Sequence, residues 1–310
     1  MSLAVAASAQ SSNNSPAVCA ACIRGNIEYL AGPDLHGRGS GTEDEHHAAQ
    51  YIAGRLKQYG LAPAAGNGAY IQAATIESPT VPHGDVTPRQ VSHTWNVLAK
   101  IAGKKPDQII LLSAHLDHLG VKNGKAFPGA DDDASGTVAV MELARALAKE
   151  PRPQRTIVFA LWGSEEAGLV GARYFLKHPP FELKNIVANL EFEMIARPDP
   201  KVKPDQLWLT GWERTDLGPA LAARGAQLVG DPHPDQSFFM RSDNYALAKD
   251  GIVSQTVSSY GLHKDYHQPT DTLDKVDWQH LDSAVGSMIA PVSWLANSGF
   301  TPTWNTGGKP

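Results

Sequence analysis

The chain has 310 residues, of which 42% are hydrophobic and 19% are charged, and its formal net charge is -5. Enough apolar residues are present to bury a sizeable core, which excludes an intrinsically disordered protein. The sequence contains no block of Lys and Arg typical of a nucleic-acid-binding patch, and no apolar run reaches the roughly 18 residues that span a bilayer. We therefore expect a globular protein with no nucleic-acid partner and no transmembrane segment.

Residues 1–18 are predicted to form a flexible leader. Small apolar residues dominate the segment from Met1 to Gln10, and Ala7-Ser8-Ala9 matches the pattern at the cleavage end of a secretory signal peptide. We interpret this leader as the remnant of an export signal, so the expected location is periplasmic or secreted. Cys19 and Cys22 follow directly, and the sequence leaves open whether they form a local disulfide.

The first clear helix signal is the capping box Thr42-Glu43-Asp44-Glu45, in which Thr and Glu side chains satisfy backbone N–H groups at a helix start. Apolar residues at helical spacing follow it, and Gly60 is the predicted end of this helix. The region from Ala62 to Ser92 is rich in Pro, Gly and Thr, which predicts loops with one short strand near Tyr70 to Ile76.

From Trp95 onward, short apolar runs alternate with segments of helix length. The predicted strands are Asn96–Ile101, Ile109–Ala114, Thr156–Leu161, Ile186–Glu193, Leu207–Thr210 and Ile252–Val257. The predicted helices are Val138–Ala148, Leu169–Lys177, Leu217–Arg224 and Trp278–Leu295. Strands that are apolar throughout are typical of a sheet covered by helices on both faces, so we expect an α/β fold. Residues 19–300 are predicted to form one domain, followed by a flexible tail at 301–310.

Histidines and carboxylates follow three predicted strands at the ends where open α/β sheets bind ligands. These segments are His115-Leu116-Asp117-His118, Glu165-Glu166 and Glu191-Phe192-Glu193. Two more clusters are Asp131-Asp132-Asp133, which precedes a predicted helix, and Asp265-Tyr266-His267, in a loop before the final helix. Imidazole and carboxylate together suit zinc, and a site rich in carboxylates can hold two divalent ions. Because converging carboxylates repel one another without cations, the pattern predicts a metal site.

Each segment alone also has a structural explanation. Glu165 and Glu166 could favour a helix N-terminus, and the Asp triplet could cap a helix. His115 and His267 could be structural histidines. These explanations would have to hold at all five places together, and we therefore favour the metal site.

The same stretches resemble the M28 family of zinc aminopeptidases. The matching segments are Ser113–Gly120, Pro128–Gly136, Gly163–Gly168, Phe192–Arg197 and Asp265–Asp271, together with Arg241-Ser242-Asp243 and Leu35-His36-Gly37-Arg38-Gly39. The resemblance covers roughly Asn26 to Asn297. It implies a single-domain, three-layer α/β/α fold in which helices flank a twisted mixed β-sheet, and a catalytic domain that holds two zinc ions.

The resemblance also implies the ligands of each zinc ion. His115 and Glu193 would bind one ion, Glu166 and His267 would bind the other, and Asp132 would bridge them. Most family members carry Asp where this chain has Glu193. Glu191 is a competing candidate, because residues i and i+2 of a strand face the same side.

Three further residues receive roles from the resemblance. Glu165, beside a ligand but not itself one, would be the general base. Asp117 would orient the imidazole of His115. Tyr266 would donate a hydrogen bond to the oxyanion, although it could equally be a packing tyrosine.

The function implied is an aminopeptidase that removes residues from peptides with a free N-terminus. Three alternatives stay open: a one-zinc enzyme resembling glutaminyl-peptide cyclotransferases, a carboxypeptidase on the same scaffold, and a non-catalytic binding protein that has lost its metals. The preferred first residue, the native metal and the oligomeric state do not follow from the sequence.

Overall fold

The computed structural model describes residues 17–76 and 90–310. Most of the predicted leader therefore lies outside the described residues, as does part of the predicted loop region after residue 76. The described strands are β1 (Ala62–Pro63), β2 (Ile71–Thr75), β3 (His93–Ile101), β4 (Lys105–His115), β5 (Gly120–Lys122), β6 (Lys125–Phe127), β7 (Arg155–Trp162), β8 (Ile186–Phe192), β9 (Leu207–Leu209), β10 (Leu228–Gly230) and β11 (Ser254–Ser258). The described α-helices are α1 (Ala20–Leu30), α2 (Glu43–Gln58), α3 (Gly136–Leu147), α4 (Val170–Lys177), α5 (Leu217–Ala222), α6 (Asp243–Lys249) and α7 (Trp278–Asn297).

One mixed sheet organises the protein. Its strands lie in the order β1-β3-β7-β4-β8-β11-β9-β10, and β2 pairs with another part of β3. The four central strands β7, β4, β8 and β11 run parallel, whereas β3 and β9 run antiparallel to their central neighbours. Leu111 of β4, for example, pairs with Val158 on one side and with Asn189 on the other. The carboxyl ends of the four central strands therefore meet along one edge.

Helices cover both faces of this sheet. Ile110 and Leu112 of β4 point into a large apolar cluster formed with α1, α2, α3, α5 and α7. Ile109 and Leu111 point the other way, into a second cluster formed with α4 and α6. Because successive residues of a strand face opposite sides, an apolar strand can serve two cores. The predicted three-layer α/β/α fold with a mixed sheet is confirmed.

The tail at 301–310 differs from the flexible segment that we predicted. Trp304 forms an isolated antiparallel bridge with Thr215, and its indole N–H donates to the carbonyl of Gly251 at 3.2 Å. Arg214 donates to the carbonyl of Gly308 at 2.9 Å. The Thr, Gly and Pro content suggested fraying, but Trp304 anchors this segment to the domain.

The start of α1 is linked to α3. Cys19 and Cys22 form a disulfide, which settles the pairing that the sequence left open. The backbone N–H of Cys19 donates to Glu142 of α3 at 2.7 Å, and Arg145 donates to the same carboxylate.

In the part of the chain that the structure describes, no helix is both long and apolar enough to cross a membrane.

Arg38 joins several loops near the carboxyl edge of the sheet. Its side chain is fully buried and donates to the carbonyls of Leu116, Pro128, Gly129 and Leu30. Burial lowers the pKa of Arg38 to about 10, so the guanidinium stays charged at neutral pH. The loops at the carboxyl edge of the sheet therefore accept hydrogen bonds from the same buried guanidinium, that of Arg38.

We predict that Arg38→Met lowers the free energy of unfolding by about 3 kcal/mol or more. The substitution leaves the carbonyls of Leu30, Leu116 and Pro128 without a donor, whereas that of Gly129 still accepts from Ala134, and each buried unpaired polar group costs about 1–3 kcal/mol. Urea denaturation measures the change. Arg152→Met is the matched control, because the exposed Arg152 also donates to two carbonyls, of Ala102 and Gly103, and we expect a loss below about 1 kcal/mol. Equal losses in the two variants would contradict the role of Arg38.

Candidate metal centre

The carboxyl edge of the sheet brings the predicted ligands together. His115 is the last residue of β4, Glu193 follows β8 directly, and Glu166 lies in a 3-10 turn just after β7. His267 lies in the loop after β11, and Asp132 lies in the turn before α3. All five side chains gather there because parallel strands deliver the residues that follow them to the same edge.

The first group of candidate ligands consists of His115, Asp132 and Glu193. Each offers one ligand atom, and these atoms all lie within 4.8 Å of one another. Nε2 of His115 lies 3.3 Å from Oδ1 of Asp132.

The second group forms around the other oxygen of Asp132. Nε2 of His267 lies 3.3 Å from Oδ2 of Asp132 and 3.3 Å from Oε2 of Glu166. His118, Asp132 and Glu166 also offer ligand atoms within 4.8 Å of one another. His118 is fully buried, and its Nδ1 lies 2.8 Å from Oε1 of Glu166.

The geometry of both groups fits zinc. With bonds of about 2.0–2.1 Å, two ligand atoms of a tetrahedral zinc site lie roughly 3.3 Å apart, which is the spacing found at His115, Asp132, Glu166 and His267. Among the described residues, several buried atoms here have polar neighbours but no hydrogen bond of good geometry: Nε2 of His115, Oδ2 of Asp132 and both carboxylate oxygens of Glu166. Buried polar groups without partners are rare, and a bound cation would satisfy these.

The carboxylates of Asp271 and Asp133 hold the backbone around Asp132 in place. Asp271 accepts hydrogen bonds from the N–H groups of Asp131 and Asp132 at 3.0–3.1 Å. The carboxylate of Asp133 accepts from the N–H groups of His115 and Met194 at 3.2 and 3.1 Å. These bonds tie the Asp triplet to β4 and to the residues after β8, so that the Asp132 carboxylate faces both ligand groups.

Glu191 and Glu193 have different surroundings. Glu191 is fully buried, accepts from the backbone N–H of Asn244, and lies 3.4 Å from the hydroxyl of Thr256. Glu193 instead lies with His115 at the first ligand group. Burial and the nearby Glu193 raise the pKa of Glu191 to about 8. This geometry favours Glu193 as the candidate ligand.

Asp117 contacts the loop after β7 more closely than it contacts His115. Its carboxylate lies 3.7 Å from Nδ1 of His115, while the backbone carbonyl of Asp117 lies 3.2 Å from the same nitrogen. The carboxylate accepts from the N–H groups of Glu165 and Glu166 at 2.9 and 3.4 Å, and from the hydroxyl of Ser40 at 2.6 Å. Asp117 is therefore placed to orient both an imidazole and the Glu165-Glu166 segment.

Glu165 lies in the most acidic part of the site. Burial raises the pKa of Glu165 well above its ordinary value, and the charges of Asp243, Glu166 and Glu193 add to this, whereas His115 opposes it. A cation bound beside Glu165 would lower this pKa again by favouring the charged form.

The pKa values of Glu166 and His267 are shifted in the directions that favour their charged forms, whereas the pKa of Glu165 is shifted toward its neutral form. Burial raises the pKa of Glu166, but the charge of His267 and the contacts of His118 and His267 together outweigh it, and the pKa falls to about 2. Burial lowers the pKa of His267, but Glu166 and Asp132 together outweigh it and raise the pKa to about 10. Without a metal, the imidazole of His267 therefore holds a proton at neutral pH.

A pocket with aromatic walls opens beside the first ligand group. It encloses about 370 Å³, including its open mouth, and its lining includes Glu193, Met194, Trp208, Phe238, Tyr260 and Tyr266. The ring of Tyr266 stacks on His267, with 3.8 Å between ring centroids. Arg241 donates to the hydroxyl of Tyr266 at 3.3 Å and lies over the same ring. Tyr266 is thus both a neighbour of the candidate ligands and a wall of the pocket.

No role was predicted for several residues that the structure places at the site. His118 lies in the same segment as His115, and its position three residues after a candidate ligand was the available signal. Asp243 lies two residues after Arg241 and is fully buried, and its charge acts on Glu165. Asp133 was seen only as part of the Asp triplet. Since these residues act through tertiary contacts, local spacing did not distinguish them.

The α/β/α fold and the groups that could hold metal ions at the carboxyl ends of its strands place the chain in a class of α/β proteins with a candidate metal centre. A model of peptidase family M28 matches residues 96–292. The chain belongs to this family, and the predicted membership is confirmed.

Known proteins similar to this chain include aminopeptidases and a glutaminyl cyclase. An aminopeptidase from Pseudomonas aeruginosa is 40% identical over 240 residues, covering 68% of this chain and 43% of the relative. A zinc aminopeptidase structure from Bacillus subtilis has a TM-score of 0.67 at 18% identity, covering 91% of this chain and 96% of that one. A glutaminyl cyclase structure from Porphyromonas gingivalis has a TM-score of 0.69 at 17% identity, covering 90% and 99%. The chain spans less than half of the length of the aminopeptidase from Pseudomonas aeruginosa.

We predict that zinc binding to the metal-free protein releases protons at pH 7. A histidine must lose its proton to bind zinc, and the raised pKa of His267 means that this proton is present beforehand. Apparent zinc affinity should therefore rise by about tenfold per pH unit for each proton displaced, from pH 6 to pH 8. Calorimetry in buffers of different ionisation enthalpy measures the number of protons.

The control for this titration is a histidine away from the site. His267→Gln should release fewer protons, whereas His178→Gln, which alters an exposed histidine, should match the unmodified protein. Zinc binding without proton release at pH 7 would contradict the electrostatics described for His267.

Proposed function

We propose that this protein is a metal-dependent aminopeptidase with two zinc ions per chain. The observation that carries the proposal is the position of Asp132, whose two oxygens each lie 3.3 Å from a different histidine, His115 and His267. A carboxylate shared in this way can bridge two ions. His115 and Glu193 would complete one site, and Glu166 and His267 the other.

Different residues of the chain would have different roles in hydrolysis. Zinc ions, when bound, would polarise the carbonyl of the scissile peptide bond and make the attacking water more acidic. Glu165 accepts the proton of this water and later donates it to the leaving amine. Asp117 holds Glu165 through its backbone N–H. Tyr266, beside His267, donates a hydrogen bond to the oxygen that gains negative charge.

The proposed substrate is a peptide with a free N-terminus. The carboxylates at the edge of the site would bind the protonated amine of the first residue, since opposite charges attract strongly where water is excluded. The side chain of that residue would enter the pocket beside Glu193. Each cleavage would therefore remove only the first residue, and acetylation of the amine should abolish it.

Glutaminyl cyclisation is the nearest rival, because a cyclase shares the fold. A one-zinc site would need only one of the two ligand groups. The presence of both His115 and His267 around Asp132 supports hydrolysis instead. Peptides that begin with Gln separate the two functions, because a cyclase converts the first residue to pyroglutamate and an aminopeptidase releases free glutamine.

We also propose that the protein is periplasmic or secreted and that residues 19–300 form its catalytic domain. The disulfide between Cys19 and Cys22 supports an oxidising compartment, because disulfides are rare in the reducing cytosol.

A panel of aminoacyl chromogenic substrates tests the proposed function. We expect hydrolysis that a chelator removes and that zinc restores. N-acetylated versions of the same substrates should not be cleaved. Cleavage that survives thorough chelation, or equal cleavage of acetylated substrates, would contradict the proposal.

We predict that Glu165→Gln lowers kcat by about 10²–10⁴-fold and leaves the zinc content unchanged. Glutamine keeps the shape of the side chain but cannot accept the proton, and a positioned general base contributes roughly this factor. Steady-state kinetics and metal analysis on the same preparation measure both quantities. Full activity in this variant would remove Glu165 from the mechanism.

A further inference from the structure

Glu45, the last residue of the predicted capping box, is part of a hydrogen-bond cluster rather than a simple helix cap. Thr42 does cap α2, since its hydroxyl accepts from the N–H of Glu45 at 3.5 Å. The Glu45 side chain, however, is fully buried. Its carboxylate accepts from the backbone N–H of Gly41, from the hydroxyl of Thr94 at 2.7 Å and from the hydroxyl of Ser164 at 2.9 Å.

Ser164 connects this cluster to the candidate base. It is fully buried and directly precedes Glu165, and its φ of 52° lies in the left-handed region. A non-glycine residue in that region is strained and needs tertiary contacts to hold it there. The hydrogen bond to Glu45 is such a contact, and it fixes the point at which the chain turns from β7 toward Glu165.

The close approach of Glu45 also explains the residue before Ser164. A β-carbon on Gly163 would overlap with Oε1 of Glu45 and with the hydroxyl of Thr94. Only glycine fits there without displacing the carboxylate. The end of β7 is therefore shaped around Glu45.

Asp117 holds the other side of the same loop. It accepts the N–H of Glu165, and Glu45 accepts the hydroxyl of the preceding residue, Ser164. The two carboxylates are also linked through adjacent residues, because Ser40 donates to Asp117 and Gly41 donates to Glu45. Glu165 thus projects from a loop that is fixed at two consecutive positions.

We propose that Glu45 is a positioning residue that holds Glu165 in place through Ser164. This inference rests on the proposed role of Glu165 as general base. An error of about 1 Å in the placement of a reacting group can cost about a hundredfold in rate, so loss of this contact should lower kcat. Substrate binding and zinc content should change little, because Glu45 contacts neither the pocket nor a candidate ligand.

The burial of Glu45 supports a role beyond capping. Burial raises the pKa of Glu45 to about 8, and Asp117 adds to this, while the hydrogen bonds from Gly41, Thr94 and Ser164 oppose it. A capping carboxylate works equally well in solvent, where it carries no such cost. The structure maintains this cost at a place where α2 contacts the loop of Glu165.

The test compares Glu45→Met, Ser164→Ala and the double variant. Methionine keeps the length of the side chain and its helix propensity but cannot accept hydrogen bonds. We expect each single variant to lower kcat by about 10- to 100-fold, with KM within about twofold and unchanged zinc content. The double variant should fall little further, because both substitutions break the same contact. The conservative Glu45→Gln, which keeps one acceptor oxygen, should recover most of the lost activity.

Glu142→Met is the matched control for stability. Glu142 is also a buried glutamate that accepts a backbone N–H, but it lies on α3 and contacts Cys19 and Arg145. This variant should lower the melting temperature and leave kcat unchanged. All kinetics are measured well below the melting temperature of each variant.

A kcat within twofold of the unmodified protein in Ser164→Ala would overturn the inference, even if Glu45→Met does not fold. Equal losses of kcat in Glu142→Met and Glu45→Met would overturn it as well, because stability alone would then explain the effect. A fully active Glu165→Gln variant would overturn the proposed function and this inference with it. An inactive Glu165→Gln variant together with fully active Glu45 and Ser164 variants would overturn only the role of Glu45.

Discussion

The structure depends on one electrostatic constraint, which is the convergence of buried carboxylates where the parallel strands end. Asp132, Glu165 and Glu166 are all less than 5% exposed, and Glu193 lies beside them. Such groups repel one another and are costly to bury. Histidines offset part of this cost, and the spacing of Asp132 between two of them leaves room for cations to offset the rest. The proposed chemistry follows from this arrangement.

The loops that carry these groups are held mainly by other carboxylates. Asp117, Asp133 and Asp271 each accept backbone N–H groups beside a candidate ligand or base. A carboxylate can accept several hydrogen bonds at once, so one side chain can fix two neighbouring peptides. Arg38 donates to the carbonyls of Leu116, Pro128 and Gly129 in the adjacent loops. The result is a site whose candidate ligands and base are fixed through their backbone.

The sequence predicted the central sheet because strands buried on both faces are continuously apolar. It predicted His115, Glu166 and Glu193 because they lie at or just after strand ends, and Asp132 and His267 because their segments are rich in metal-ligating residue types. It could not choose between Glu191 and Glu193, since the two share a strand face, and the contact of Glu191 with Asn244 became visible only in the fold. Glu45 looked like a local cap because its partners Thr94 and Ser164 are distant in sequence. The tail was predicted to be flexible from its composition, but Trp304 and Gly308 hold it against the domain.

The most direct test of the central claim is the zinc content of the purified protein. Metal analysis after equilibration with zinc and removal of the excess should give two zinc ions per chain, falling to one or fewer when Asp132 is replaced by Asn. A content of one zinc ion in the unmodified protein, or none, would contradict the account that Asp132 joins two metal sites.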